Sequence, residues 1–243
     1  MMACRMKIGI LQCDHVREEL QPTFGDYPQM IASLFAKVAP ACRFKTFQVQ
    51  SFEYPQNLDE CDAYITTGSR HGVNDDFDWI KRLEEYICEL DQAKKPFVGI
   101  CFGHQLMAKA LGGAVDRSDK GWGIGVTFNQ VVCSKPWMEP HQHALNLIAS
   151  HQDQIIRLPK EVKVDVLASS SFCSYYMLAY GDHFISIQGH PEFTKDYSST
   201  LIDIRRDIIP FNRIQEGRAS LMANLDDQLI AQWIVNFCAS RDD

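Results

Sequence analysis

The sequence contains no apolar stretch approaching the roughly 18 residues that a membrane span requires. It also lacks any C-x-x-C pair, internal repeat, low-complexity segment or G-x-x-x-x-G-K-[ST] loop for nucleotide phosphates. Cationic surplus is missing too. Against 31 Asp and Glu there are 24 Lys and Arg, a net charge of −7. No basic stripe is available for nucleic acid or for an anionic membrane surface, so neither partner is expected. The apolar run Ile8 to Leu11, behind Met1–Met6, is too short for a signal-peptide core and reads as a first strand. The nine cysteines (4, 13, 42, 61, 88, 101, 133, 173 and 238) are odd in number and follow no framework spacing. Reduced thiols in a cytoplasmic compartment are therefore expected. The close pair His141-x-His143 has no further ligands at metal spacing, so neither a metal nor a cofactor is expected.

What remains is an ordinary globular composition, 46% hydrophobic and 23% charged over 243 residues, long enough to bury a full core as one domain without staples. The first half alternates two periodicities. Strand-like runs are Lys7–Gln12, Arg43–Gln50, Ala63–Thr67 and Phe97–Ile100. Helical stripes are Ile31, Leu34, Phe35 and Val38, capped by Asp26 and stopped by Pro40, and Ile80, Leu83, Ile87 and Leu90, opened by Asp76 or Asp78. This β-α-β-α order predicts an open, mostly parallel sheet with helices on both faces. The middle changes character: Gly125–Cys133, Lys163–Ser169, Tyr175–Tyr180 and His183–Gln188 read as antiparallel strands joined by short turns, a small β addition to the parallel core. Ile230, Trp233, Ile234 and Phe237 make a last helical stripe.

The most informative residues are Gly99-Ile100-Cys101-Phe102-Gly103-His104-Gln105. A nucleophile between glycines, after a strand and before the helix-like segment Gln105–Leu111, reads as a nucleophile elbow. The turn is tight enough to need glycine at both flanks, and it sets the thiol at a helix N-terminus, where the backbone dipole favours thiolate. A cysteine nucleophile also needs a base and a group to orient the base. Gln188-Gly189-His190-Pro191-Glu192 follows a strand, and residues two apart at a strand end project to the same side. Glu192 can therefore hold one ring nitrogen of His190 and leave the other for the thiol. Thr66-Thr67-Gly68-Ser69-Arg70 closes another strand. With the N–H of Phe102, a glycine loop at Gly68 offers donors for an oxyanion. Other residues read more plainly. His104 is expected to line the pocket, pointing away from the thiol. His151, with Asp153, reads as a pocket wall, and Trp122 as a packing residue or a pocket cover. Arg70, Asp75 and Asp76 read as solvated charges rather than as groups that read the leaving side of a substrate.

Together the elbow, Leu111-Gly112-Gly113, Ser150-His151-Gln152-Asp153 and Gly189-His190-Pro191-Glu192 resemble the class I glutamine amidotransferases over roughly residues 60–195. The resemblance implies a flavodoxin-like α/β fold and a Cys-His-Glu triad that attacks a glutamine γ-amide, passes through a γ-glutamyl thioester and releases glutamate. Cys101 matches the nucleophile, His190 the base and Glu192 its orienter; Gly68 and Phe102 match the oxyanion donors. Gln105 matches a residue holding the glutamyl part, and the Ser150-His151 backbone resembles the wall near its α-amino and carboxylate groups. Thr67-Gly68-Ser69-Arg70 replaces a Gly-Gly-Pro type turn, and Lys120-Gly121-Trp122-Gly123 lacks the acidic-aromatic pair often found there. Both departures weaken the case for docking to a synthetase, and residues 196–243 are too few to be one. The phrases around Cys101, His151-Gln152-Asp153 and Gly181–Glu192 resemble stand-alone γ-glutamyl peptidases known from plants, which hydrolyse γ-glutamyl bonds in glutathione conjugates. The leading expectation is a self-sufficient hydrolase of small γ-glutamyl substrates. The alternatives are a glutaminase subunit serving a separate synthetase partner and a catalytically silent binding protein of the same fold.

Overall fold

A computed structural model of the protein describes residues 6–240. Of the Met1–Met6 stretch only Met6 falls within them, and Cys4 lies outside. In chain order the elements are β1 (Lys7–Gln12), α1 (Gln21–Phe24), α2 (Tyr27–Ala36), β2 (Arg43–Gln48), β3 (Ala63–Thr66), α3 (Asp78–Gln92), β4 (Phe97–Ile100), α4 (Phe102–Ala110) and β5 (Ala114–Arg117). There follow β6 (Gly123–Val131), β7 (Ala144–His151), β8 (Asp153–Arg157), β9 (Val164–Ser169), β10 (Met177–Tyr180), β11 (Phe184–Ile187), α5 (Lys195–Ile204), α6 (Phe211–Ser220) and α7 (Asp227–Ala239).

Among the described residues one sheet has nine strands in the order β2-β1-β3-β4-β11-β10-β9-β6-β7. The neighbours from β2 to β11 run parallel, and those from β11 to β7 run antiparallel. The antiparallel part therefore extends the main sheet, while β5 and β8 pair separately. The result is an open, mixed sheet with helices on both faces, as the alternating periodicities predict.

Alternation along β1 shows why both faces are covered. Ile8 and Ile10 join Ile31, Leu34 and Phe35 of α2 and Trp233, Ile234 and Phe237 of α7. Leu11, of opposite parity, joins Ile80, Leu83, Ile87 and Leu90 of α3 and Leu106 and Met107 of α4. Each such aliphatic side chain stabilises by roughly 1.5–3 kcal/mol when fully buried, so the stripes read from sequence anchor the helices.

Local ends differ from expectation in instructive ways. Asp26 caps α2 through a capping box with Gln29 as expected, but the helix stops at Ala36 rather than Val38. Neither Asp76 nor Asp78 caps α3: Phe77 holds the N-cap position without a side-chain bond, Asp78 is the first helical residue, and Asp76 pairs with Lys81. The strand expected to Gln50 ends at Gln48, where a 3-10 turn, Val49–Ser51, takes over. The helix after the elbow starts at Phe102 rather than Gln105.

Candidate active site

Four strand ends assemble the site. In open α/β sheets the carboxyl ends of parallel strands form the crevice where ligands bind, and β1, β3, β4 and β11 all finish there. The β4–β11 register pairs Ile100 with Ile187, and the Cys101 N–H donates to the Ile187 carbonyl at 2.9 Å. Cys101 and the Gln188–Glu192 turn thus become neighbours although about ninety residues separate them.

Cys101 has φ +48° and ψ −93°, a strained geometry for a residue with a β-carbon, and it is the N-cap of α4. The flanking glycines are sterically required. A β-carbon on Gly99 would sit 2.7 Å from the Gly103 carbonyl oxygen, and one on Gly103 would sit 1.7 Å from Oγ1 of Thr66. That threonine hydroxyl also accepts the Ile100 N–H at 3.1 Å, fixing the strand just before the turn.

His190 and Glu192 are both buried, and Nδ1 of His190 lies 2.7 Å from Oε1 of Glu192. The His190 N–H holds the Ile148 carbonyl at 2.8 Å, and its ring stacks on Phe193 at 3.9 Å. With Nδ1 engaged, the other ring nitrogen is the one available to Cys101, whose sulfur is close enough to favour the protonated imidazole. Burial, the largest influence, lowers the basicity of His190. The Cys101 sulfur and the Glu192 carboxylate together outweigh it and hold the imidazole well above its ordinary value. The second Glu192 oxygen is buried without a hydrogen-bond partner among the described residues.

Gly68 stands against this ring: a β-carbon there would lie 2.8 Å from Cε1 of His190. The Phe102 N–H is the first of α4, a position with no acceptor inside the helix. Phe102, Gln105, Ser150 and His151 line a cleft of about 280 Å³ around Cys101. A larger cavity of about 540 Å³ lies on the other side of Pro191–Phe193 and does not reach Cys101.

Two expectations need correction. His104 does not line the cleft. It is fully buried and bonded through Nδ1 to Ser186 Oγ at 2.8 Å, and burial pushes its basicity down to about 3. The first turn of α4 carries it under the sheet rather than into the mouth. Arg70 is not simply solvated. Its backbone N–H and Nε both donate to buried Asp14 at 2.8 Å, and it lines the cleft. The Asp14–Gly25 segment thus reaches the site through Asp14. Asp75 also lines the cleft, whereas Asp76 is exposed as expected. His151 is a wall residue as read. Burial lowers it to about 3, and both ring nitrogens are buried without hydrogen-bond partners among the described residues. Trp122 lines the cleft under the Arg205 guanidinium, 5.6 Å from its ring.

Two residues escaped the sequence reading. Gln188 is completely buried, donates to the Cys101 sulfur at 3.5 Å and accepts from Gln105 Nε2 at 3.1 Å. Gln105 also donates to the Asp153 carbonyl at 2.7 Å, so its amide is fixed from two sides. Arg205, from the end of α5, donates to Ser150 Oγ at 2.6 Å, and burial lowers its basicity. Gln188 could have been found from its place two residues before His190. Arg205 carried no local signal.

The profile of the family described as glutamine amidotransferase class-I matches residues 27–202. The chain belongs to the class I glutamine amidotransferase family. Among the relatives of this amidotransferase-family chain are two Arabidopsis thaliana proteins. Gamma-glutamyl peptidase 4 is 34% identical over 226 residues, covering 89% of this chain and 88% of the relative. Gamma-glutamyl peptidase 3 is 32% identical over 207 residues, covering 82% and 81%. The fold matches a glutamine amidotransferase crystal structure from Thermotoga maritima with a TM-score of 0.75 at 20% identity, covering 98% of this chain and 97% of that one.

Proposed function

We propose that the protein is a single-domain, cytoplasmic hydrolase of γ-glutamyl amide bonds that works through a Cys101 thioester. The observation that carries this reading is the buried His190–Glu192 pair at 2.7 Å, set beside the Cys101 sulfur so that both favour the protonated imidazole. The likeness to the two gamma-glutamyl peptidases over more than four fifths of the chain supports the substrate class.

The Cys101 thiolate attacks the γ-carbonyl carbon, and the carbonyl oxygen gains charge between the N–H groups of Gly68 and Phe102. His190, oriented by Glu192, gives its proton to the leaving amine as the C–N bond breaks. Water then attacks the thioester carbon, His190 takes the water's proton, and glutamate leaves as the thiol is restored. Gln105, Ser150 and His151 hold the glutamyl part while Arg70 and Trp122 border the leaving side. Strain at Cys101 and the buried His190–Glu192 pair are costs that a silent binding protein of this fold has no reason to retain.

The test is to incubate the pure protein with glutamine and with γ-glutamyl-cysteinyl peptides, beside Cys101→Ala. Glutamate release from peptides by the wild type alone, absent in the variant, is the expected result. Equal release by both proteins would sink the assignment. Glutamine turnover appearing only with an added synthetase would favour the ammonia-delivering alternative.

A further inference from the structure

Two consecutive threonines close β3, and each clamps a different neighbour. The Thr66 hydroxyl accepts the Ile100 N–H at 3.1 Å and so holds β4 just ahead of Cys101. Thr67 holds the end of β1. Its own N–H donates to the Leu11 carbonyl at 3.2 Å, and its hydroxyl accepts the Cys13 N–H at 2.9 Å. The same hydroxyl donates to the Gly68 carbonyl at 2.9 Å. Thr67 and Cys13 are completely buried, and the hydroxyl's one donor and one of its acceptor sites are both taken by backbone.

The bond to the Gly68 carbonyl closes a small ring, which runs from the Thr67 hydroxyl through the Thr67–Gly68 peptide. That peptide carries the Gly68 N–H. Glycine turns easily about both of its backbone torsions, so an untied Gly68 could swing its N–H away from the cleft. Bonded to the Gly68 carbonyl on one side and to Cys13 on the other, the Thr67 hydroxyl sets the plane of this peptide. Among the described residues no group accepts the Gly68 N–H. Gly68 also abuts the His190 ring, with only 2.8 Å between a β-carbon built on it and Cε1. The N–H is thus free to donate and held beside the thiol and imidazole. The far end of the loop is tied to the same segment, because Asp14, next to Cys13, accepts the Arg70 N–H at 2.8 Å.

We infer that Thr67 is a positioning residue of the proposed reaction: by clamping the Gly68 peptide to the end of β1, it aims the Gly68 N–H at the oxygen that gains charge when Cys101 attacks. This inference rests on the γ-glutamyl reading of the cleft, and it concerns how the oxyanion is met rather than how the thiolate is made.

The experiment uses three variants. Thr67→Val keeps the shape of the side chain and removes both hydroxyl bonds. Thr67→Ala leaves room for a water to satisfy the Cys13 N–H, and it carries the test should the valine variant not fold. Thr67→Ser keeps the hydroxyl. Each is assayed in two reactions. Hydrolysis of a γ-glutamyl-cysteinyl peptide builds charge on the carbonyl oxygen. Alkylation of Cys101 by iodoacetamide, followed by mass spectrometry of the Cys101 peptide, forms the S–C bond as iodide leaves and builds none. Thr67→Val and Thr67→Ala should lower kcat on the order of 10- to 100-fold, with KM within about threefold and alkylation within about twofold of the wild type. Thr67→Ser should keep kcat within about threefold of the wild type. A parallel fall in alkylation would mean that Thr67 supports the whole turn rather than the oxyanion donor, and would overturn the inference. So would a serine variant as slow as the valine one, or a valine variant with wild-type kcat. A wild type that cleaves no γ-glutamyl peptide while its Cys101 still alkylates would overturn the γ-glutamyl reading itself, and the inference with it.

Discussion

Gly68 and His190 touch so closely that a single methyl group cannot be added between them: its carbon would lie 2.8 Å from Cε1 of the imidazole. The ring is stacked on Phe193 at 3.9 Å, which restricts its retreat. Gly68→Ala should therefore displace the ring from Cys101. A displacement of about 1 Å costs on the order of 100-fold in rate, and overpacking costs about 1–3 kcal/mol of stability. Kinetics on a γ-glutamyl peptide beside urea unfolding will measure both, and an active Gly68→Ala protein would show that His190 has slack.

Backbone strain at Cys101 can be weighed without the thiol. Cys101→Ala and Cys101→Gly both remove the sulfur, but only glycine occupies φ +48°, ψ −93° without a β-carbon penalty. The glycine variant should be the more stable of the two by about 1–2 kcal/mol, the reverse of the usual order at an ordinary helix position. Denaturant midpoints of the two inactive proteins check this. Alanine equal to or above glycine would mean that the elbow carries no strain.

Much of this site was legible because its chemistry sits beside turn signals. Gly99 and Gly103 announce the elbow, and the Glu192 carboxylate lies two residues from His190 on the same turn. The parallel half was readable for a similar reason: Ile8 and Ile10 part from Leu11 by simple alternation. The remainder was hidden for physical reasons. β7 and β8 meet at His151–Asp153 without a glycine or proline to mark the turn. α6 is mostly polar, with only Ile214 and Gly217 buried, so it shows little apolar stripe. The tie from Asp14 to Arg70 joins residues 56 apart, and no local pattern reports such a bond.

His190 sets the alkaline limit. Its folded-state basicity, held up to about 10 by Cys101 and Glu192 against the opposing effect of burial, exceeds that of the unfolded chain, about 6.5. The folded protein therefore keeps a proton that the unfolded chain loses first. The stability this contributes is complete below about pH 6.5 and is lost as pH rises through the folded-state value. Unfolding free energy of the wild type should fall between pH 7 and 10 more steeply than that of His190→Gln. Parallel curves would remove the ion pair from the argument. The acid side runs the other way: His104 and His151, lowered to about 3 mainly by burial, favour folding above about pH 6.5, and that contribution is lost as pH falls toward 3.

Gln188 offers the finest probe, because it touches the sulfur without belonging to the proposed triad. Its amide donates to Cys101 Sγ at 3.5 Å and receives Gln105 at 3.1 Å. Gln188→Met keeps the volume and removes both bonds, while Gln105 retains the Asp153 carbonyl. A long hydrogen bond to sulfur is worth at most about 1 kcal/mol, so alkylation of Cys101 by iodoacetamide should slow by roughly 3- to 5-fold near neutral pH. The fall in kcat/KM should be of similar size, because the same negative sulfur serves both reactions. A drop in kcat/KM beyond about 100-fold with unchanged alkylation would mean that Gln188 acts on the substrate instead, through the amide of Gln105.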